Sequence, residues 1–170
     1  GLGTRVGELR GVGARRLPAV LWWLARTGPA PEGEFTVPSA EAPRLLAAAE
    51  TDLEREFFGN TGRPVDKWIH YLAAYQQHFG AYRGTPVRML EIGVFRGGSL
   101  DLWRRYFGPD ATIVGIDIDP GCAERVTAPN HVRIGSQDDP AFLASVVAEF
   151  GPFDIVLDDG SHVGKHQRTS

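Results

Sequence analysis

Each apolar run in the second half of this sequence ends in residues able to do chemistry. The first closes on Glu91-Ile92-Gly93 and continues as Val94-Phe95-Arg96-Gly97-Gly98-Ser99. The second closes on Gly115-Ile116-Asp117-Ile118-Asp119-Pro120, the third on Gly135-Ser136-Gln137-Asp138-Asp139, and the fourth on Asp158-Asp159-Gly160-Ser161-His162. A strand that ends in a glycine-rich turn and feeds a helix puts backbone N–H groups at a helix N-terminus, a setting that suits an anionic group. Glu91, two positions before the first glycine, would then face a cationic or hydroxyl-bearing part of the ligand. Asp117 ends a strand about one crossover later, where a carboxylate accepts hydrogen bonds from ribose hydroxyls. Asp119 precedes Pro120 and reads as the cap of the following turn. Ser136, Gln137 and Asp138 fit either of two roles: reading a purine edge or capping the helix that starts at Pro140.

Such residues need elements to hold them in place. Apolar runs at Val87–Ile92, Thr112–Ile118, Val132–Ile134 and Asp154–Leu157 predict four strands, with helices over Ser99–Phe107 and Pro140–Phe150. The link between the second and third runs holds Pro120, Gly121 and Pro129, so only a weak helix is expected there. Continuous apolar strands joined by helical crossovers predict an α/β domain with a doubly wound, Rossmann-like parallel sheet and ligands at its switch point. Residues 1–84 have a different texture and predict an N-terminal helical and linker region, with the Rossmann-like part over residues 85–170. Helices are expected over Ala42–Phe58 and Val65–Phe79, the second carrying Trp68, Leu72, Tyr75 and Phe79 on one packing face, with His70 and His78 on its polar side.

Composition narrows the function classes. The 170 residues are 42% hydrophobic and 23% charged, ordinary for a soluble globular protein. A net charge of −3 gives no electrostatic reason to expect nucleic acid as a partner, and no apolar stretch reaches the length of a membrane span. Cys122 is the only cysteine, which excludes an intrachain disulfide and points to a reducing, cytoplasmic setting. Arg15-Arg16 followed by Leu17–Ala25 superficially looks like a secretory signal. With Pro18, Trp22 and Trp23 inside that run, an amphipathic lead-in helix is the better expectation.

Taken together, Glu91-x-Gly93-x-x-x-Gly97-Gly98-Ser99, Gly115-Ile116-Asp117 and Gly135-Ser136-Gln137-Asp138-Asp139 resemble the class I S-adenosylmethionine-dependent methyltransferases. Phe153-Asp154-Ile155-Val156-Leu157-Asp158-Asp159-Gly160-Ser161-His162 and the earlier Lys67-Trp68-Ile69-His70-Tyr71 through His78-Phe79 are similar to the macrocin, mycinamicin and rhamnosyl sugar O-methyltransferases. The resemblance covers about Val65 to Gln167. It implies that Glu91, Gly93, Gly97 and Ser99 lie in the loop holding the methionine part of S-adenosylmethionine, with backbone N–H groups near Gly93 and Gly97 close to its carboxylate or ribose. Asp117 would take the ribose, and Ser136 with Gln137 would flank the adenine. It further implies a magnesium ligand at Asp159, with Asp158 as second choice, and a general base at His162. A divalent ion held by carboxylates lowers the pKa of a sugar hydroxyl while a nearby imidazole takes its proton. The implied activity is O-methylation of a sugar or glycosylated natural product, a small-molecule acceptor, with a homo-oligomer left open.

The family pattern continues for three further strands beyond Ser170, and the chain opens on Gly1 instead of Met, so the sequence reads as a fragment. If 170 residues were the whole protein, its metal site would be half built and its fourth strand would be an unpaired edge, predicting an inactive or unstable chain. Competing readings are a cephalosporin hydroxylase-like relative, a non-catalytic cofactor-binding fragment, and an NAD-dependent oxidoreductase or epimerase. The last predicts Gly-x-Gly-x-x-Gly after the first strand, whereas position 95 is Phe.

Overall fold

The computed structural model describes residues 41–160 and the backbone of Ala19–Leu21. The elements run β1 (Ala19–Leu21), α1 (Ala42–Ala47), α2 (Asp52–Phe58), α3 (Ile69–Phe79), a 3-10 turn (Gly80–Tyr82), β2 (Arg88–Ile92), α4 (Gly98–Phe107), β3 (Thr112–Asp117), α5 (Gly121–Arg125), β4 (His131–Ile134), α6 (Pro140–Phe150) and β5 (Ile155–Asp158). All strands are parallel, in the order β1-β5-β2-β3-β4. The chain winds outward from β2 through β3 to β4, then crosses to the other side of β2 as β5. That reversal creates the switch point between β2 and β5.

Strand periodicity sorts side chains between two cores. Met89, Ile113, Ile155 and Leu157 face a cluster shared with Leu53, Leu72, Phe79, Leu100 and Trp103. Leu90, Ile92, Val114, Ile116 and Val156 face a smaller cluster with Val146, Phe142 and Leu143 of α6. With a period of two, Glu91 shares the face of Met89, toward α2–α4, and Asp158 shares the face of Val156. Aromatic rings bind α3 to α4: Tyr75 stacks on Phe79 at 5.5 Å, and both meet Trp103 edge-on at 5.5 and 5.6 Å. The packing role expected for Tyr75 and Phe79 is what the structure shows, and His70 and His78 are exposed.

Four expectations about elements are corrected. The stretch Ala42–Phe58 is two helices, because Thr51 and Glu54 form a capping box that starts a new one: Thr51 Oγ1 accepts the Glu54 N–H at 3.2 Å, and Glu54 Oε2 accepts that of Thr51 at 2.8 Å. Helix α3 begins at Ile69, four residues later than expected, because Trp68 is extended and the buried Lys67 is drawn into the interior. Within the expected lead-in helix, Ala19–Leu21 is instead a strand. It pairs with β5 at Ala19↔Ile155 through Leu21↔Leu157, so the strand expected as an unpaired edge has a neighbour on that side. Pairing there satisfies the N–H and C=O row that an open edge would leave exposed.

Candidate active site

A cleft of about 450 Å³ opens beyond the carboxyl ends of β2, β3 and β5, at the switch point. Of the predicted site residues, Gly93, Ser99, Asp117, Ser136, Gln137 and Asp159 line it. Its shape depends on backbone approaches that only glycine permits. Gly93 sits at φ 93°, and a Cβ there would lie 2.6 Å from the Asp159 carbonyl oxygen. A Cβ on Gly98 would lie 2.0 Å from the Pro64 carbonyl oxygen, so the chain entering α3 rests directly on the start of α4.

Asp117 clasps the glycine loop. Its Oδ2 accepts the Val94 and Phe95 N–H groups at 2.8 and 3.0 Å, and its Oδ1 accepts that of Asp119 at 2.9 Å. Burial pushes this carboxyl up, but the N–H donors from Asp119, Phe95 and Val94 outweigh it and hold its pKa below the ordinary value. A carboxylate has about four acceptor positions. Three are used by backbone N–H groups and the Cys122 thiol bonds the same carboxylate, so a ribose hydroxyl would require one of these donors to let go. Phe95, at φ 52°, holds the strained left-handed conformation that aims its N–H at Asp117.

The N–H groups expected to meet a ligand are partly committed elsewhere. Gly93 donates to the Ile116 carbonyl at 2.9 Å and Gly97 to that of Val94 at 2.8 Å. The donors at the helix start are therefore those of the first turn of α4, where Gly98 and Ser99 line the cleft. The helix-cap reading at the third strand end is resolved by Asp139, whose Oδ1 accepts the Ala141 and Phe142 N–H groups at 2.9 and 3.2 Å. Ser136 and Gln137 are left on the cleft wall. Asp119 accepts the Gly121 N–H at 2.9 Å, as the turn-capping reading expects.

Glu91 lies beneath the cleft instead of facing into it. It is fully buried, with Oε1 bonded to Lys67 Nζ at 2.6 Å and Oε2 accepting from Ser99 Oγ. Lys67 also donates to Asp159 Oδ2. Burial opposes its charge, but the Glu91 and Asp159 carboxylates prevail and raise its pKa, so the ammonium is kept. Asp66, beside it on the cleft wall, has its carboxyl pushed up by burial and by the Asp159 charge. Asp159 faces the cleft, while Asp158 is not on its wall and accepts the Gly160 N–H at 3.2 Å. Ser161, His162 and His166 lie outside the described residues.

Sequence reasoning gave no site role to Lys67, Asp66, Phe95 or Ile118, all of which line the cleft, although Lys67 opens one of the motifs that carry the resemblance. Ile118 carried a signal, since an apolar side chain directly after a strand-end acid has no core left to enter, and it is 73% exposed. Cys122 also lines the cleft, with burial and the Asp117 carboxylate pushing its thiol up to about 11, which keeps it protonated and inert.

The fit to ligands follows from these groups. A cleft walled by a ribose-competent acid, first-turn N–H groups, the amide of Gln137 and the apolar Phe95 and Ile118 suits a nucleoside joined to a charged tail. Among the described residues no group of three or more His, Cys, Asp or Glu side chains is gathered for a metal. Mg²⁺ commonly needs only one or two carboxylates besides water and substrate oxygens, and Asp159 supplies one hard oxygen donor facing the cleft. Among the described residues no helix is long and apolar enough to cross a membrane.

Comparison with known proteins agrees with this geometry. No family model matches the chain. It is 46% identical over 113 residues to the 8-demethyl-8-(2-methoxy-alpha-L-rhamnosyl)-tetracenomycin-C 3'-O-methyltransferase of Streptomyces olivaceus, covering 61% of this chain and 28% of the relative. To the L-olivosyl-oleandolide 3-O-methyltransferase of Streptomyces antibioticus it is 41% identical over 164 residues, covering 81% and 42%. The MycE methyltransferase of mycinamycin biosynthesis, solved with Mg, S-adenosylhomocysteine (SAH) and mycinamycin VI, superposes with a TM-score of 0.57 at 35% identity, over 76% of this chain and 34% of that one. The chain spans less than half the length of these relatives. It is a homologue of the macrocin, mycinamicin and rhamnosyl-tetracenomycin O-methyltransferases, built on the class I methyltransferase fold.

Proposed function

We propose that this chain carries the cofactor-binding part of an S-adenosylmethionine-dependent O-methyltransferase whose acceptor is a hydroxyl of a sugar or a glycosylated natural product. The observation that carries the reading is the switch-point cleft with Asp117 on the β3 side and Asp159 on the β5 side. The named activities of homologues 38–46% identical to this chain supply the reaction class. Most of the cleft wall that would hold the cofactor lies in residues 92–160, with Pro64, Asp66 and Lys67 added from the segment before α3.

S-adenosylmethionine, when bound, supplies an already activated methyl group. The chain has to seat it, align an acceptor oxygen and remove that oxygen's proton. Asp117 would hold the ribose, Ser136 and Gln137 the adenine, and Gly98 and Ser99 the charged tail through first-turn N–H groups. Asp159, with Asp158 second, would hold Mg²⁺, which lowers the pKa of a bound hydroxyl. His162, three residues beyond Asp159, would accept the proton, because an imidazole titrates near neutral pH and a sugar hydroxyl does not.

The test is transfer of a labelled methyl group from S-adenosylmethionine to a rhamnosyl or olivosyl glycoside by the full-length protein with Mg²⁺. His162→Ala should leave SAH binding intact and abolish transfer. A His162→Ala protein that keeps the wild-type rate would remove the general-base assignment, and SAH binding without transfer to any glycoside would favour a non-catalytic module.

A further inference from the structure

We infer that Lys67 is a positioning residue for methyl transfer, one that fixes the Asp159 carboxylate through a buried ammonium anchored on Glu91; this rests on the role given to Asp159 above. Lys67 reaches the cleft wall from the segment before α3, with its side chain only 2% exposed. Its Nζ bonds Glu91, itself fully buried at 0%, at 2.6 Å, and bonds Asp159, whose side chain is 38% exposed. One end of the bridge is therefore immobile and the other faces the ligand space.

The surroundings make this more than a structural ion pair. Glu91 is tied down twice, by Lys67 and by Ser99 at the start of α4, so the ammonium is held by a fixed base. Asp159 uses Oδ2 for Lys67, which orients Oδ1. The Asp159 backbone is fixed as well, since its N–H donates to the Ile92 carbonyl at 2.9 Å and its own carbonyl lies against Gly93. Pro64 packs on Gly98, so the segment that carries Lys67 is seated against the same helix start that faces the cofactor cleft. Glu91 therefore belongs to the support beneath the site, and Lys67 carries that support across to the acceptor side.

Removing Lys67 alone would leave a buried carboxylate without its partner and could unfold the protein. The informative comparison is therefore Glu91→Gln, which keeps the Lys67 ammonium on Asp159, against Glu91→Gln with Lys67→Met, in which both buried positions are neutral. Melting temperature, SAH affinity by calorimetry, and kcat for methyl transfer are measured on the full-length protein. Adding Lys67→Met should lower kcat at least tenfold relative to Glu91→Gln alone, with SAH Kd within threefold and similar melting temperatures. Equal kcat in the two variants would reduce Lys67 to a stabilising partner of Glu91 and overturn the inference. A parallel tenfold loss of SAH affinity would overturn it too, by placing Lys67 on the cofactor instead of the acceptor side. Wild type is run in the same assay: no transfer there sinks the proposed function itself, a failure separate from either outcome.

Discussion

Asp117 combines three backbone acceptor contacts with a place on the cleft wall, so its loss should be felt twice. Hydrogen bonds to a charged group contribute about 1.5–3 kcal/mol each. Asp117→Ala should therefore weaken SAH binding by at least about tenfold, measured by calorimetry, and should free the Val94–Phe95 turn; unchanged affinity would remove Asp117 from the ribose role. Its pKa is depressed on folding, so its contribution to stability is complete above the unfolded value of about 3.9 and is lost as pH falls through the lower folded value. Thermal melts of the wild type as pH falls below about 3.9 should lose stability that Asp117→Ala does not have to lose. Asp117 was legible in the sequence because it ends an apolar run about one crossover after the glycine loop. Lys67 was not. It fell inside the helix expected over Val65–Phe79, and its burial depends on Glu91 and Asp159, 24 and 92 residues further along. Asp158 and Asp159 could not be told apart in the sequence; in the structure Asp159 lines the cleft and meets Lys67.

At the scale of elements, local chemistry decided where helices start, and close approach decided where glycine was needed. The capping box at Thr51 splits a stretch whose apolar spacing alone predicts one helix, because side-chain oxygen competes with helix continuation at that residue. Thr51→Ala should cost about 1 kcal/mol, read from the urea midpoint, and no measurable change would mean the box contributes little. Gly93 carries a heavier demand, combining positive φ with the Asp159 carbonyl. Gly93→Ala must pay about 1–2 kcal/mol for the backbone alone, and the clash should also move residues 159–160 and lower SAH affinity. A variant with wild-type melting and affinity would show that β2 and β5 do not meet as closely as described. The strands, α4 and α6 were legible from periodicity; β1 was not, because three apolar residues carry no period and their state is set by the β5 edge they complete.

For the molecule as a whole, the larger core runs without a break from Leu53 and Phe57 through Leu72, Phe79 and Trp103 to Ile155 and Leu157. Helices before residue 84 and strands after it should therefore unfold together. Phe79→Ala, at a site with no exposure, should cost about 3–5 kcal/mol and shift fluorescence and circular-dichroism transitions equally; separate transitions would show two independent units. The smaller core beneath α6 completes the sheet's other face and leaves the carboxyl ends of the strands open, which is where the cleft lies. What binds there can be measured without knowing the acceptor. Calorimetric titration of the full-length protein with SAH should show one saturable site per chain, weakened by Asp117→Ala, and titration with NAD should show none. Saturable NAD binding with no response to SAH would contradict the methyltransferase reading at its foundation.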